Sequence, residues 1–213
     1  KGVLLRKYGQ EIIRHTAGKR VHGTGSVPGG VNKNLTRAER AGLLGEIDTI
    51  VEWSREAVGI IRKLFADNAK LYESFGRFDS NRLGLVRADG ALDLYHGGLR
   101  ATDAGGGTIF DHADYQSYYE LIHEEVKPWS YMKFPFLVGQ GAEAGWYRVG
   151  PLARVQNCDF IPTPLAEAQR QDFVAWGRGA PVHATLAYHW ARMIEALHAA
   201  EVIEQLLADP DIL

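Results

Sequence analysis

The chain has 213 residues, with 24 Lys and Arg against 26 Asp and Glu, a net charge of −2 and 46% hydrophobic content. These values suit a globular protein with a core of its own and exclude a broad basic surface of the kind that tracks nucleic acid. No apolar run is long enough to cross a bilayer as a helix, and the lone cysteine, Cys158, excludes an intrachain disulfide and a thiolate zinc site within the chain.

Residues 2–17 predict an amphipathic helix rather than a signal peptide. Leu5, Tyr8 and Ile12 follow helical spacing, Leu4 and Ile13 widen the stripe, and Gly18 suits the position just past the helix end. A glycine-rich basic loop follows from Gly18 to Thr36, carrying Lys19, Arg20, His22 and Lys33. A connection this long without structure of its own points to function or disorder. Thr36 and Glu39 then form a capping box for a long helix. Its apolar positions, from Leu43 through Ile47, Ile50, Val58 and Phe65 to Leu71, carry it to about Tyr72, unbroken or with a break near Gly59 or Asp67-Asn68.

From Gly84 to Phe110 the pattern changes to short strands. Residues 84–87 and 91–95 flank Asp89-Gly90 as a hairpin, with further strands at 99–102 and 108–110, which predicts a small antiparallel sheet. Asp114 to Val126 reads as a short helix stopped by Pro128, and residues 129–163 as an irregular aromatic stretch pinned by its neighbours. Residues 164–176 are helical, and a last helix opens at Pro181 and runs to about Ala208 with a stripe of Leu186, Trp190, Met193, Leu197 and Ala200. The fold class is therefore mainly α with a small antiparallel sheet (α+β). The organisation is helix, loop and long helix over 1–75, sheet over 84–110, short helix and irregular stretch over 111–163, and C-terminal helices over 164–208. The start at Lys1 and the close at Leu213 are read as cuts from a longer protein.

The residue chemistry offers no self-sufficient active site. The loop lacks the Lys-Ser/Thr that completes a Walker phosphate cradle, and Pro28 stands where the third glycine of a dinucleotide fingerprint belongs. His112 and His123 sit beside acids without the spacing of a metal-binding helix, so a hydrolase built on them requires the two regions to converge. Arg192 and Glu195 are spaced for an ion pair within the last helix, and Cys158 reads as a small buried residue rather than a nucleophile.

Several stretches, taken together and in order, carry a resemblance. They are Arg6-Lys7-Tyr8-Gly9-Gln10-Glu11-Ile12-Ile13, Gly18-Lys19-Arg20-Val21-His22-Gly23, Pro28-Gly29-Gly30-Val31-Asn32-Lys33-Asn34-Leu35 and Asp93-Leu94-Tyr95-His96-Gly97-Gly98-Leu99-Arg100. Further on come Lys127-Pro128-Trp129-Ser130-Tyr131-Met132-Lys133-Phe134-Pro135, Gly145-Trp146-Tyr147-Arg148-Val149-Gly150-Pro151-Leu152-Ala153-Arg154 and Tyr188-His189-Trp190-Ala191-Arg192-Met193-Ile194-Glu195. The series resembles the large subunit of nickel–iron hydrogenases, in particular the soluble bidirectional NAD-linked branch.

The resemblance implies a long-helix bundle, here incomplete, and a parent enzyme that splits dihydrogen reversibly and passes electrons through iron–sulfur clusters to NAD. In the family the nickel and iron sit between two Cys-x-x-Cys pairs, one near each end of the subunit. This chain carries neither pair, so it looks like the segment between them, with no catalytic residue, no metal ligand and no cofactor of its own. The nickel–iron centre is expected only in the complete subunit.

By the same resemblance, Lys19, Arg20, His22, Pro28, Gly29 and Gly30 face an iron–sulfur small subunit, with His22 near its closest cluster. His22-Gly23 stands where many hydrogenases have His-Pro. The implied partners are that small subunit and NAD-using diaphorase subunits, with no nucleic acid and no membrane span, in the cytoplasm. The isolated segment is expected to be inactive and to self-associate through apolar surface that the full subunit buries. The alternatives are the related quinone-site subunit of respiratory complex I, which shares the fold and has lost the metal cysteines, and a non-enzymatic assembly module.

Overall fold

The computed structural model describes all of residues 1–213. In chain order the elements are α1 (Gly2–Ala17), β1 (Ser26–Val27), β2 (Gly30–Val31), α2 (Arg37–Asp67), α3 (Ala69–Ser74), β3 (Asn81–Val86), β4 (Gly98–Thr102), β5 (Thr108–Ala113), α4 (Tyr118–Leu121), β6 (Ile122–Val126), β7 (Lys133–Leu137), α5 (Gly141–Ala144), β8 (Tyr147–Arg148), α6 (Pro151–Asn157), α7 (Pro164–Trp176) and α8 (Ala187–Ala208). This is the α+β class expected, dominated by helices. The chain divides into two compact units, one of residues 1–61 with 196–213 and the other of residues 62–195.

In the first unit, apolar side chains at helical spacing on α1 and the start of α2 pack with the end of α8 around Tyr8, Leu43, Ile47, Ile50, Ala200 and Leu207. Leu5 and Ile12 join this core, whereas Leu4 and Ile13 are exposed, so the α1 stripe is narrower than its sequence suggests. The Tyr8 hydroxyl donates to Leu43 O at 3.0 Å, and burial, helped by Glu46, pushes its phenol up to about 12. Arg40 donates from Nε to Leu207 O (2.7 Å) and from Nη2 to Ala208 O (3.1 Å), which satisfies carbonyls that the end of α8 leaves without helical partners.

The capping box forms as read. Thr36 N donates to Glu39 Oε2 at 3.0 Å and Glu39 N to Thr36 Oγ1 at 3.3 Å. From this start α2 runs without a break at Gly59 to Asp67, and Asn68 separates it from α3.

The second unit holds a four-stranded sheet in the order β5-β4-β3-β8, antiparallel except for the parallel pair β3–β8. The turn at Asp89-Gly90 forms, with Gly90 N donating to Arg87 O at 2.8 Å. Residues 91–95, however, are not the second strand of a hairpin. Across the turn Val86 and Leu92 alone bridge, Ala91 bridges Phe160 instead, and Asp93 Oδ1 accepts the backbone N–H groups of Tyr95 and His96 at 2.7 Å each. That local turn takes the donors a strand would need, and β3 pairs with β4 instead.

The helix expected over 114–126 shrinks to the four residues of α4. Ile122–Val126 is strand β6, paired with β7 from Ile122↔Leu137 to Val126↔Lys133. A short helix is costly to nucleate, and a complete cross-strand ladder outcompetes it. Pro135 fits in β7 because a two-stranded ribbon leaves each strand one open edge. The stretch from 129 to 163 is thus less irregular than its sequence reads, since β7, α5, β8 and α6 lie within it.

Helix α7 spans the expected residues. Helix α8 begins at Ala187, six residues later than Pro181. In the intervening segment, other elements take the backbone groups a helix would use: Val182 N donates to Gln156 Oε1 (2.7 Å) and Arg148 Nη1 to His183 O (2.8 Å). The aromatic core of this unit gathers Phe65, Tyr72, Phe173, Trp176 and Trp190, with ring centroids 4.6–6.0 Å apart in tilted and edge-on pairs.

Candidate functional site

The glycine-rich loop leaves α1 at Gly18, whose φ of 80° turns the chain into the left-handed region. Within the loop, Pro28-Gly29 turns a two-rung ribbon, Ser26↔Val31 and Val27↔Gly30, which the sequence reading left as irregular chain. Asn32 N donates to Gly25 O at 2.8 Å and closes the base of the ribbon. At Gly23 the loop passes so close to α1 that a Cβ would sit 2.7 Å from Ala17 Cβ, so a glycine is required there.

Two carboxylates hold this loop against its flanking helices. Glu39, in the first turn of α2, accepts from Lys33 Nζ (2.7 Å), His15 Nδ1 (2.7 Å), Thr36 N (3.0 Å) and Thr36 Oγ1 (2.8 Å). Lys33 Nζ also donates to His15 O (2.9 Å) and Asn34 O (3.1 Å), so one ammonium spans both ends of the loop. Glu11, on α1, accepts from Arg14 Nε (2.7 Å) and Arg20 Nε (2.9 Å), and Arg20 Nη2 closes a second contact to the same carboxylate. Arg14 Nη2 lies 2.9 Å from His15 Nε2. That contact and the His15–Glu39 bond are both satisfied by an imidazole carrying its proton on Nδ1.

The Arg20 and Arg14 guanidiniums bring the Glu11 carboxyl down to about 2. Lys33, the Thr36 N–H and His15 hold that of Glu39 well below the usual carboxylate range. Glu11, His15, Arg20, Glu39 and Glu46 share the wall of one cleft of about 830 Å3 with Trp53.

Of the six residues expected to face a partner, all are exposed. Arg20 is folded onto Glu11, whereas Lys19 and His22 stand in solvent, His22 with a φ of 51°. Pro28, Gly29 and Gly30 form the ribbon's turn. The sequence reading missed Glu11 and His15 as anchors, although they stand one helical turn apart on α1, just before the loop.

The other candidates do not assemble. His112 lies 3.6 Å from Asp111 on β5, and His123 of β6 packs edge-on against Phe136 of β7. No three His, Cys, Asp or Glu side chains converge where a metal ion would sit. Glu195 pairs with Arg154 of α6, at 2.6 and 2.7 Å, rather than with Arg192. Cys158 is 3% exposed, donates weakly to Val155 O at 3.6 Å, and burial pushes its thiol up to about 12, so it is a packing residue.

No protein-family model matches the chain. It is 41% identical over 217 residues to the NAD-reducing hydrogenase HoxS subunit beta of Cupriavidus necator, covering 99% of this chain and 44% of that protein. It is 36% identical over 214 residues to a vhu F420-non-reducing hydrogenase subunit of Methanococcus voltae, covering 100% of this chain and 50% of that protein. The crystal structure of an NAD+-reducing [NiFe]-hydrogenase in the H2-reduced state superposes with a TM-score of 0.94 at 51% identity, over 99% of this chain and 47% of that one.

Its homologues are nickel–iron hydrogenase large subunits. The chain spans about half the length of the curated relatives it matches. The [NiFeSe] hydrogenase of Desulfovibrio vulgaris Hildenborough, at 15% identity and a TM-score of 0.70, shares the fold. A nickel–iron centre calls for soft thiolate ligands. A single thiol that is buried, protonated and remote from any cluster of donors does not fit one, so no step of the hydrogen chemistry is derived from these residues.

Proposed function

We propose that this chain is the central segment of a large subunit whose complete form oxidises dihydrogen reversibly and delivers the electrons through iron–sulfur clusters to NAD, in the cytoplasm. The superposition on the NAD+-reducing enzyme, at 51% identity over 99% of the chain, is the observation that carries this reading. The nickel–iron centre belongs to Cys-x-x-Cys pairs outside these 213 residues. The segment supplies scaffold, and its glycine-rich loop supplies a docking surface for the iron–sulfur small subunit, with diaphorase subunits further along the electron path.

The ionic frame supports the interface role. Glu39 and Glu11 take up Lys33 and Arg20, fixing the loop's two ends, while Lys19, His22 and the Pro28-Gly29-Gly30 turn remain presented to solvent. A loop fixed in advance loses less conformational freedom on docking.

The test is made on the full-length gene product. Its gene is expected to encode a Cys-x-x-Cys pair on each side of this segment, and the purified complex to reduce NAD under hydrogen. Replacing His22 by Ala is expected to alter the electron paramagnetic resonance of the nearest cluster while the nickel signal stays unchanged. Reversing charge with Lys19→Glu is expected to weaken retention of the small subunit. Absence of either Cys-x-x-Cys pair would sink the hydrogenase reading. Unaltered cluster spectra and subunit retention in both variants would sink the interface reading alone.

A further inference from the structure

His15 stands between the two carboxylate hubs of the first unit, and both nitrogens of its ring are engaged. Nδ1 lies 2.7 Å from Glu39 Oε1 on α2, and Nε2 lies 2.9 Å from Arg14 Nη2 on α1. A carboxylate only accepts, so Nδ1 carries the proton; a guanidinium only donates, so Nε2 offers its lone pair. The Arg14 contact therefore exists only while the imidazole is neutral. Glu11 stands beside it, with Oε2 3.9 Å from Nε2 and 2.7 Å from Arg14 Nε.

The other charges around the ring are fixed near neutral pH. Arg20 and Arg14 bring the Glu11 carboxyl down to about 2, and Lys33, the Thr36 N–H and His15 hold that of Glu39 well below the usual carboxylate range. Lys33 Nζ reaches both Glu39 and the His15 carbonyl, and a lysine ammonium ordinarily keeps its proton up to about pH 10. Guanidiniums stay charged throughout. Lys7 and Glu46 share the wall of the same cleft. Between about pH 8 and 5, the imidazole is the one group in this frame whose ordinary range is crossed.

A proton arriving at Nε2 would set an N–H against the N–H of Arg14, charge against like charge. One of the two side chains has to leave. The ring side chain is 13% exposed and pinned through Nδ1, whereas that of Arg14 is 40% exposed and opens to solvent.

We infer that His15 is a proton-operated latch on the glycine-rich loop: on gaining a proton at Nε2 it displaces Arg14 into solvent and donates to Glu11 Oε2, so that one imidazolium bridges Glu11 on α1 and Glu39 on α2. While Arg14 is in place, its guanidinium offsets the pull of the two carboxylates on that proton. Once it leaves, both carboxylates act on the imidazolium. The bond from Nδ1 to Glu39 then becomes charge-assisted, roughly twice as strong as a neutral one. Glu39 also holds Lys33 and Thr36, so mild acid tightens the C-terminal end of the loop. Where the loop docks a partner, the latch sets how rigid a surface it offers. That consequence rests on the interface reading, whereas the exchange of partners does not.

Crystals of the full-length gene product at about pH 8 and about pH 5, the limits of an imidazole's ordinary range, test the exchange directly. At the higher pH, Arg14 Nη2 is expected within hydrogen-bond distance of His15 Nε2. At the lower pH, Glu11 Oε2 is expected there instead, with Arg14 in solvent. Arg14 still on Nε2 at the lower pH overturns the inference. In solution, amide exchange at Asn32, Thr36 and Glu39, corrected for its intrinsic pH dependence, is expected to slow about fivefold from the higher pH to the lower, the scale on which a charged bond exceeds a neutral one. His15→Gln gains no proton, and its rates are expected to stay level. No slowing in the unaltered protein, or equal slowing in the variant, also overturns the latch. Should the variant fail to fold, the two crystals decide. Neither measurement reads subunit retention, so failure here leaves the interface reading standing.

Discussion

The two units use charge in opposite ways. In the first, partly buried carboxylates are the hubs: Glu39 gathers a lysine, a histidine and a helix start, and Glu11 gathers two arginines, so that a loop is tied to its flanking helices. In the second, buried guanidiniums are the hubs. Arg100 is nearly sealed, grips Asp111 with two donors and reaches Asp159 and the Asn157 carbonyl, while Arg82 and Arg148 bind carbonyls and hydroxyls alone. A carboxylate hub dissolves when it is protonated. A guanidinium hub stays charged at any pH a protein meets. The loop frame is therefore adjustable by its surroundings, whereas the sheet's hub keeps its own charge and its carbonyl acceptor and yields to acid only through Asp111, which Arg100 holds below the usual carboxylate range.

The largest effect is expected from breaking the buried hub. Arg100→Met leaves the solvent-reached Asp111 and Asp159 without their cation and the buried Asn157 carbonyl without its donor, and is expected to cost about 1.5–3 kcal/mol by urea denaturation. A loss below about 1 kcal/mol would mean that Arg100 is a surface pair in disguise.

Acid is expected to act next, and on the first unit. Glu11 has its pKa depressed to about 2 by Arg20 and Arg14, against an ordinary value of 4.5. A depressed carboxylate stabilises the fold above its unfolded pKa, and the contribution is lost as pH falls through the folded one. Amide exchange across residues 18–36 should accelerate between about pH 4.5 and 2, and more than across residues 98–102, where Arg100 keeps the Asn157 carbonyl as an acceptor after Asp111 is protonated. Glu11→Gln should remove part of that acid dependence. Simultaneous loss of protection in both regions would erase the distinction.

Thr36→Ala is expected to cost about 1 kcal/mol and to fray the first turn of α2, because it deletes one half of the capping box and a donor to Glu39. The smallest effect belongs to exposed pairs on the same helix. Lys63→Ala removes a contact to Asp67 at 2.5 Å, and thermal unfolding should move by no more than the equivalent of about 0.5 kcal/mol.

What the sequence disclosed follows the range of the forces involved. Helix α1, the capping box and α7 depend on residues within a few positions of each other, and their periodicity announces them. Strand β6 and the start of α8 depend on partners further along the chain. Residues 122–126 are decided by β7, and residues 181–186 are held out of the helix by Gln156 and Arg148. The site divides along the same line. The loop's basic and glycine content was visible, as was the resemblance carried by its wording. The anchoring of Lys33 by a histidine carbonyl 18 positions away, and of Arg20 by Glu11, needed coordinates.

Cys158 has one more consequence. It is the chain's lone thiol, capping α6 in a dry niche with its proton tightly held. Thiolate is the form that reacts with alkylating reagents, so the folded segment should be silent to them at neutral pH. Labelling at this position would then report each opening of the second unit as a clock, without any engineered probe, and its rate in denaturant would time the unfolding of the region that the buried arginines hold together.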